Sequence, residues 1–252
     1  MHFWRATDGN KNFYCVERTS GLEELNGLPY DEVVGTGVIH QFDDVKLLAP
    51  CEPSKIVAIG KNYAAHAAEM KEGQPEEPLI FLKPNTSIIG DGEEIVYPKL
   101  SKRLDYEGEL GVIIGKKCRN VSIEDAFSVV FGYTCLNDVT ARDIQKGDMQ
   151  WTRGKGFDTF CPIGPYIETE LDANHVTVTT RLNGEIKQQG NTELMIHPIA
   201  KLIWYITQCM TLLPGDVIAT GTPAGVGSMN VGDIVEVEIE GLATLKNVIV
   251  SE

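Results

Sequence analysis

Long apolar runs are missing from this chain. Stretches such as Leu202–Ile206 fall far short of the roughly 18 residues that a membrane helix needs, so no membrane partner is expected. The opening residues Met1 to Asp8 carry neither the basic stretch and apolar core of a signal peptide nor an Arg-rich transit pattern. The six cysteines (15, 51, 118, 135, 161 and 209) form no Cys-x-x-Cys and no paired spacing. A disulfide framework or a thiolate zinc site is therefore not expected; reduced thiols in a cytoplasmic protein are. Positive charge is scarce as well, with 22 Lys and Arg against 36 Asp and Glu and a net charge of −14. That balance disfavours nucleic acid and anionic membranes as partners. It also means that an anionic substrate would need the few cations gathered at its site. No internal repeat and no low-complexity tract interrupts the 252 residues.

What remains is an ordinary globular composition, 42% hydrophobic and 23% charged, enough to bury a sizeable core. Short strands are expected over 12–17 and 33–40, separated by Gly, Asn and Pro turns. Pro50-Cys51-Glu52-Pro53 then punctuates the chain. A small strand-rich N-terminal domain is read over 1–50 and a larger domain over 51–252. Strand patterns follow at 55–60, 108–115 and 176–182, the last leading into Asn183-Gly184, a strong two-residue hairpin signal, with a return over 185–189. Val235, Val237 and Ile239 alternate with Glu236, Glu238 and Glu240, as in a half-buried strand. Helices are expected over 122–130, opened by Ser122-x-x-Asp125, and from Pro198 onward, with Ile199, Leu202, Ile203, Ile206 and Met210 on one side. Without a regular βαβ rhythm, the fold class is α+β, mainly β.

Several polar groups stand out. In Glu107-Gly108-Glu109-Leu110-Gly111 a strand would point both carboxylates to one face. At a separation of roughly 5–7 Å their repulsion is about 2–3 kcal/mol at an effective dielectric near 20. A solvated edge would tolerate this; a hard cation would turn it into attraction. Asp138 follows an apolar strand and precedes a turn of helix on which Arg142 and Gln145, spaced i and i+3, share a face. His66 and Glu69 have the same spacing in an Ala-rich helix, so the carboxylate can orient the imidazole. That helix runs into the polar stretch 71–78, which would let it move as a lid. Lys155 between glycines and Lys83 in Phe81-Leu82-Lys83-Pro84 lie in apolar surroundings that call for snorkelling or an anionic partner. Thr220-Gly221-Thr222-Pro223 opens a glycine-rich loop without the spacing of a P-loop or a dinucleotide fingerprint.

In this order, over nearly all of 55–250, these segments resemble the fumarylacetoacetate hydrolase family. The residues carrying the likeness are Gly60-Lys61-Asn62-Tyr63-Ala64-x-His66, Phe81 to Pro84, Glu107 to Gly111, Asn137 to Asp143, the Lys155 segment and Thr220 to Pro223. The resemblance implies a mixed β-roll and a homodimer, with Glu107, Glu109 and Asp138 holding Mg²⁺ or Mn²⁺. It implies His66 and Glu69 as a lid dyad and Lys155 as a catalytic group. Lys83, Arg142, Gln145 and Thr222 would then contact a small keto acid. The expected reaction is hydrolysis of the C–C bond of an acylpyruvate through a pyruvate enolate, His66 taking a proton from water. Oxaloacetate decarboxylation and isomerisation or decarboxylation of a 2-hydroxyhepta-2,4-diene-1,7-dioate are the rival enzymatic readings. A metal- and keto-acid-binding module without catalysis is the rival of another class. Lys61 and Ala65 stand where acylpyruvases often carry Arg and Asp, and Arg153-Gly154 replaces a more apolar pair, which leaves the distal half of the substrate open.

Overall fold

A computed structural model describes residues 1–69 and 73–252. Strands make up most of the regular secondary structure. Ten strands run side by side in the order Gly35–His40, Gly21–Leu25, Asn12–Arg18, His2–Thr7, Cys161–Glu168, Val130–Asn137, Gly108–Ile114, Val217–Ala219, Ile56–Gly60 and Leu79–Lys83; two short strands attached at the side complete a 12-stranded sheet. A five-stranded sheet runs Glu185–Asn191, Thr177–Leu182, Ile234–Ile239, Leu245–Ser251 and Glu94–Tyr97. A three-stranded sheet joins Thr140–Ala141, Leu104–Tyr106 and Gly227–Met229. Among the described residues four short helices punctuate the strands: α1 (Ala64–Glu69), α2 (Arg142–Gly147), α3 (Thr152–Lys155) and α4 (Ile199–Cys209). The architecture is α+β and mainly β.

Alternation along Gly108–Ile114 shows how the core forms. Leu110, Val112 and Ile114 face one side, packing with Val178, Val237 and Ile239 of the five-stranded sheet and with Leu202, Ile203 and Ile206 of α4. Ile113 faces the other, against Ile56, Leu136, Ile163 and Val217, and against Phe3, Tyr14 and Val16 of the N-terminal strands. Each such buried aliphatic side chain contributes about 1.5–3 kcal/mol. The N-terminal strands are bonded into the large sheet: Phe3 pairs with Ile167, so the sheet continues across the punctuation at Pro50.

The hairpin forms at Asn183-Gly184, where both residues take positive φ (52° and 81°), as a type I′ turn demands. Helix α4 starts after Pro198, whose fixed φ of −66° suits that place; Met210 stands just past its end and is half-buried. The helix expected over 122–130 is only a 3₁₀ turn, Ala126–Val129. Ser122 Oγ does accept from the Asp125 N–H, but Val130 is already extended and opens the strand Val130–Asn137, which takes the backbone away from the helix. No helix of the described residues is long and apolar enough to cross a membrane. None of the six cysteines is in a disulfide; Cys15, Cys51, Cys118, Cys135 and Cys161 are buried, and Cys209 on α4 is exposed. Burial pushes the Cys15, Cys135 and Cys161 thiols up to about 12.

Asp216 fastens the base of the scaffold. Its fully buried carboxylate accepts from the backbone N–H of Ser54, Lys55 and Leu213, from Ser54 Oγ, and from the Lys55 ammonium. It thereby ties together the starts of the parallel strands Ile56–Gly60 and Val217–Ala219. Asp216→Ala leaves these partly buried donors without their shared acceptor and should cost on the order of 2–3 kcal/mol, read from the urea unfolding midpoint. A loss below 1 kcal/mol would show that the two strands do not depend on it.

Candidate active site

The register of two antiparallel strands assembles the acidic cluster. Gly108 pairs with Asn137, so Glu107 and Asp138 meet where the ladder ends, and the Asp138 N–H donates to the Glu107 carbonyl at 2.8 Å. Asn137 Oδ1 accepts from the Glu107 N–H at 2.9 Å. Glu109 is two residues further along. The donor oxygens of Glu107, Glu109 and Asp138 all lie within 4.8 Å of one another, and all three side chains are buried.

Cations from α2 and α3 face this cluster. Lys155, at the end of α3, donates to Glu107 Oε2 at 2.7 Å and to Asp138 Oδ2 at 2.5 Å. Arg142, at the start of α2, donates to Asp105 at 2.8 Å, to Gln145 Oε1 at 2.7 Å and to Glu107 Oε1. Burial opposes ionisation of Glu107, but Lys155 and Arg142 outweigh it and hold its carboxyl well below the usual carboxylate range. Burial also opposes charge on Lys155, and Asp138 and Glu107 outweigh it, raising the ammonium above its ordinary value. Among the described residues Glu109 makes no ion pair; its Oε2 accepts from the Gly221 N–H at 2.8 Å. Burial, then the Asp138 and Glu107 carboxylates, push its pKa well up. Gly221 takes φ of +100°, and a side chain there would meet Asn62 Cβ at 2.6 Å, so only glycine lets this backbone reach Glu109.

A cavity of about 280 Å³ opens over the cluster, lined among others by His66, Arg142, Gln145, Lys155 and Thr222. Thr222 Oγ1 donates to the Gly108 carbonyl and accepts from Gln188 Nε2. His66 is buried, and its Nδ1 has no hydrogen-bond partner among the described residues; Glu69 Oε2 lies 3.6 Å away and accepts from the Gly225 N–H. Glu69 itself is at the exposed end of α1. The polar stretch expected to follow it begins in residues 70–72, outside the described residues. Lys83 is placed differently from the expectation of a substrate contact. It sits behind Asp138, outside the cavity lining, with its three donors directed to Asp138 Oδ1, the Val139 carbonyl and the Lys155 carbonyl. The strand Leu79–Lys83 ends inside the core at that point, so its lysine can reach only the back of the cluster.

Three side chains in the network escaped the reading of the sequence. Asp105 is fully buried and holds Arg103 and Arg142; the alternation Asp105, Glu107, Glu109 was a usable signal. Asn137 lay inside a quoted motif. Gln188, 80 residues from the Gly108 N–H that its Oε1 accepts, had no local signal at all.

The donor set fits a divalent cation: three hard carboxylates, buried, with no ion pair to the most repelled of them among the described residues. The description "Fumarylacetoacetate (FAA) hydrolase C-terminal" matches residues 55–250. The chain belongs to the fumarylacetoacetate hydrolase family. Within the family it is 42% identical over 247 residues to oxaloacetate tautomerase YisK of Bacillus subtilis, covering 92% of this chain and 81% of that protein. The solved 5-carboxymethyl-2-hydroxymuconate delta-isomerase of Mycobacterium smegmatis is 43% identical, with a TM-score of 0.94 over all of both chains. Fumarylpyruvate hydrolase from Pseudomonas aeruginosa, solved in complex with Mn²⁺ and pyruvate, is 31% identical with a TM-score of 0.76, over 82% of this chain and 92% of that one.

The raised pKa of Glu109 makes a thermodynamic demand. Its folded value exceeds the unfolded one, so the folded state holds the extra proton, and stability drains away as pH rises above 4.5 toward the raised value. Glu109→Gln removes that penalty. Near pH 8 the metal-free variant should melt higher than the parent, while the rise in melting temperature on adding Mg²⁺ or Mn²⁺ should disappear. A variant that still gains from the metal would remove Glu109 from the ligand set.

Proposed function

We propose that this fumarylacetoacetate hydrolase family enzyme interconverts the keto and enol forms of a small 2-oxo acid, with oxaloacetate as the representative substrate. The observation that carries this reading is the meeting, in one cavity, of a buried three-carboxylate cluster, a buried ammonium kept protonated and the buried imidazole of His66. The likeness to a named oxaloacetate tautomerase across 92% of the chain supports it.

Glu107, Glu109 and Asp138 would hold Mg²⁺ or Mn²⁺, which supplies an electrophile for negative charge developing on the 2-oxo oxygen. The chain's own groups do the rest. Gln145 Oε1 is fixed by Arg142, so the amide NH₂ is left to donate to the substrate carboxylate. His66 takes a proton from C3; the C–H pair becomes the C2=C3 double bond, and the carbonyl π pair moves to the 2-oxo oxygen, which gains a proton from solvent. Lys155 offsets the charge on that oxygen, and because it acts in a dry site the effect is larger than in water. Thr222, tied to Gly108 and Gln188, keeps the loop wall of the cavity in place.

A second reading, hydrolysis of an acylpyruvate, uses the same groups with His66 taking its proton from water. The position of Glu69, 3.6 Å from His66 Nδ1, favours it, and so does the likeness to a fumarylpyruvate hydrolase. Oxaloacetate decarboxylation would draw on the same stabilisation of the enolate.

EDTA should abolish turnover and Mg²⁺ or Mn²⁺ restore it; full turnover by metal-free protein would sink the cation's role. His66→Ala should lower oxaloacetate tautomerisation by roughly 10²–10⁴-fold, measured by the loss of enol absorbance at saturating Mg²⁺. Running acetylpyruvate beside oxaloacetate decides between the two readings: faster cleavage of acetylpyruvate would make the protein a hydrolase first.

A further inference from the structure

Two residues before Glu107 stands a fourth acid, and its surroundings differ from those of the other three. Asp105 lies in the short strand Leu104–Tyr106, whose Leu104 and Tyr106 pack into an apolar cluster with Val139, Ala141 and Ile144. Asp105 therefore faces the other way, and it is fully buried. The strand pairs Leu104 with Ala141 and Asp105 with Thr140, and the Arg142 N–H donates to the Arg103 carbonyl at 2.8 Å. One residue on, the Asp143 carboxylate accepts from Ser101 Oγ at 2.7 Å and from the Lys102 N–H at 2.9 Å. The first turn of α2 is thus sewn to the segment 101–105, which leaves the backbone of Arg142 little freedom.

The side chain of Arg142 is fixed as firmly. Its Nε donates to Asp105 Oδ2 at 2.8 Å, its Nη1 to Gln145 Oε1 at 2.7 Å and its Nη2 to Glu107 Oε1. Each of the three guanidinium nitrogens donates to the protein, which sets the position and the plane of the group. Burial opposes charge on Arg142, and Glu107 and Asp105 outweigh it. Asp105 is held in turn by Arg103, whose Nε donates to Oδ1 at 2.8 Å and whose Nη2 donates to Oδ2 at 3.2 Å. Arg103 is half exposed, whereas Gln145 lines the cavity. A chain of charge-assisted bonds therefore runs from the surface through Asp105 and Arg142 to one amide in the site.

We propose that Asp105 is a positioning residue for substrate binding: through Arg142 it sets the orientation of the Gln145 amide that receives the carboxylate of the 2-oxo acid. The inference rests on the assignment of Gln145 to that carboxylate. An amide can turn over and exchange its oxygen for its NH₂, and a carboxylate accepts bonds only from the NH₂. Arg142 can only donate, so it holds Oε1 toward itself and leaves the NH₂ for the substrate. An ionised Asp105 can only accept, and its hold on Nε fixes the guanidinium that makes this choice. Without it, Glu107 is the remaining anion bonded to Arg142 and draws the guanidinium away from Gln145. The substrate carboxylate keeps its charge through keto–enol exchange. Its contact is therefore equally strong in the ground and transition states, and losing it raises KM rather than lowering kcat.

The test is a double-mutant cycle on oxaloacetate tautomerisation at saturating Mg²⁺. Asp105→Asn keeps the shape and removes the charge. It should raise KM by roughly 10–50-fold, the worth of a hydrogen bond to a charged group, with kcat within about threefold of the parent. Gln145→Ala should raise KM as much, and adding Asp105→Asn to it should cost less than about twofold more, because both changes remove one interaction. Arg103→Gln, at a half-exposed position, loosens Asp105 and should raise KM by roughly two- to fivefold, again only while Gln145 is present; it carries the test if Asp105→Asn does not fold. The rise in melting temperature with Mg²⁺ should survive in Asp105→Asn, and its loss would show that Asp105 acts through Glu107 instead. That result, losses that multiply in the double variant, a fall in kcat at unchanged KM, or no change at all would overturn the role of Asp105 and leave the reading of the site intact. A parent-like KM in Gln145→Ala would overturn it too, by placing the carboxylate elsewhere, and absence of keto–enol turnover by the parent would overturn both.

Discussion

Three carboxylates in a dry pocket repel one another, and the arrangement around them exists to contain that repulsion. Lys155 bridges Glu107 and Asp138, Lys83 supports Asp138 from behind, and Arg142 spans Asp105 and Glu107. Each cation comes from a different part of the chain, so the charge pattern can form only when the sheets and the short helices have all been placed. Glu109 is left with one backbone N–H and the repulsion of its neighbours. A divalent ion would resolve such an imbalance, and a folded scaffold that carries it would store affinity for a metal.

The scaffold supplies precision through the ends of strands. Gly108 opens one strand and Asn137 closes its partner, while Gly221 follows Thr220 just beyond Val217–Ala219. These ends are cross-linked by Gln188, which accepts from the Gly108 N–H and donates to Thr222 Oγ1 and the Pro223 carbonyl. Bonds of this kind are short, neutral and buried, so they hold the loop against the strand without adding charge. Asp216 does the corresponding work at the opposite end of Val217–Ala219, tying it to the start of Ile56–Gly60.

Much of this was legible in the residues. A Val/Ile-rich run marked the strand Gly108–Ile114 and alternation marked Ile234–Ile239, Asn183-Gly184 marked the hairpin, and the acidic triad with Lys155 and His66 was found where ordered motifs coincided. Legibility failed where the decisive partner is remote. The turn after Ser122 carried a good capping signal, but strand pairing of Val130–Asn137 overrode it. Lys83 and Lys155 looked alike in apolar surroundings, yet one faces the cavity and the other the back of Asp138, a difference set by where their elements end. Gln188 carries three bonds to the site from a hairpin whose local sequence says nothing of them.

The burial of the cysteines gives the molecule a built-in reporter. A thiol reacts as its thiolate, and the five enclosed sulfurs are shielded from reagents, with burial holding Cys15, Cys135 and Cys161 in the protonated form. Cys209 alone projects from α4 into solvent. Native protein therefore offers an alkylating reagent one point of attachment, and unfolded protein offers six. The same asymmetry confines a dye or spin label to a single face of the molecule, remote in sequence from every residue of the acidic cluster.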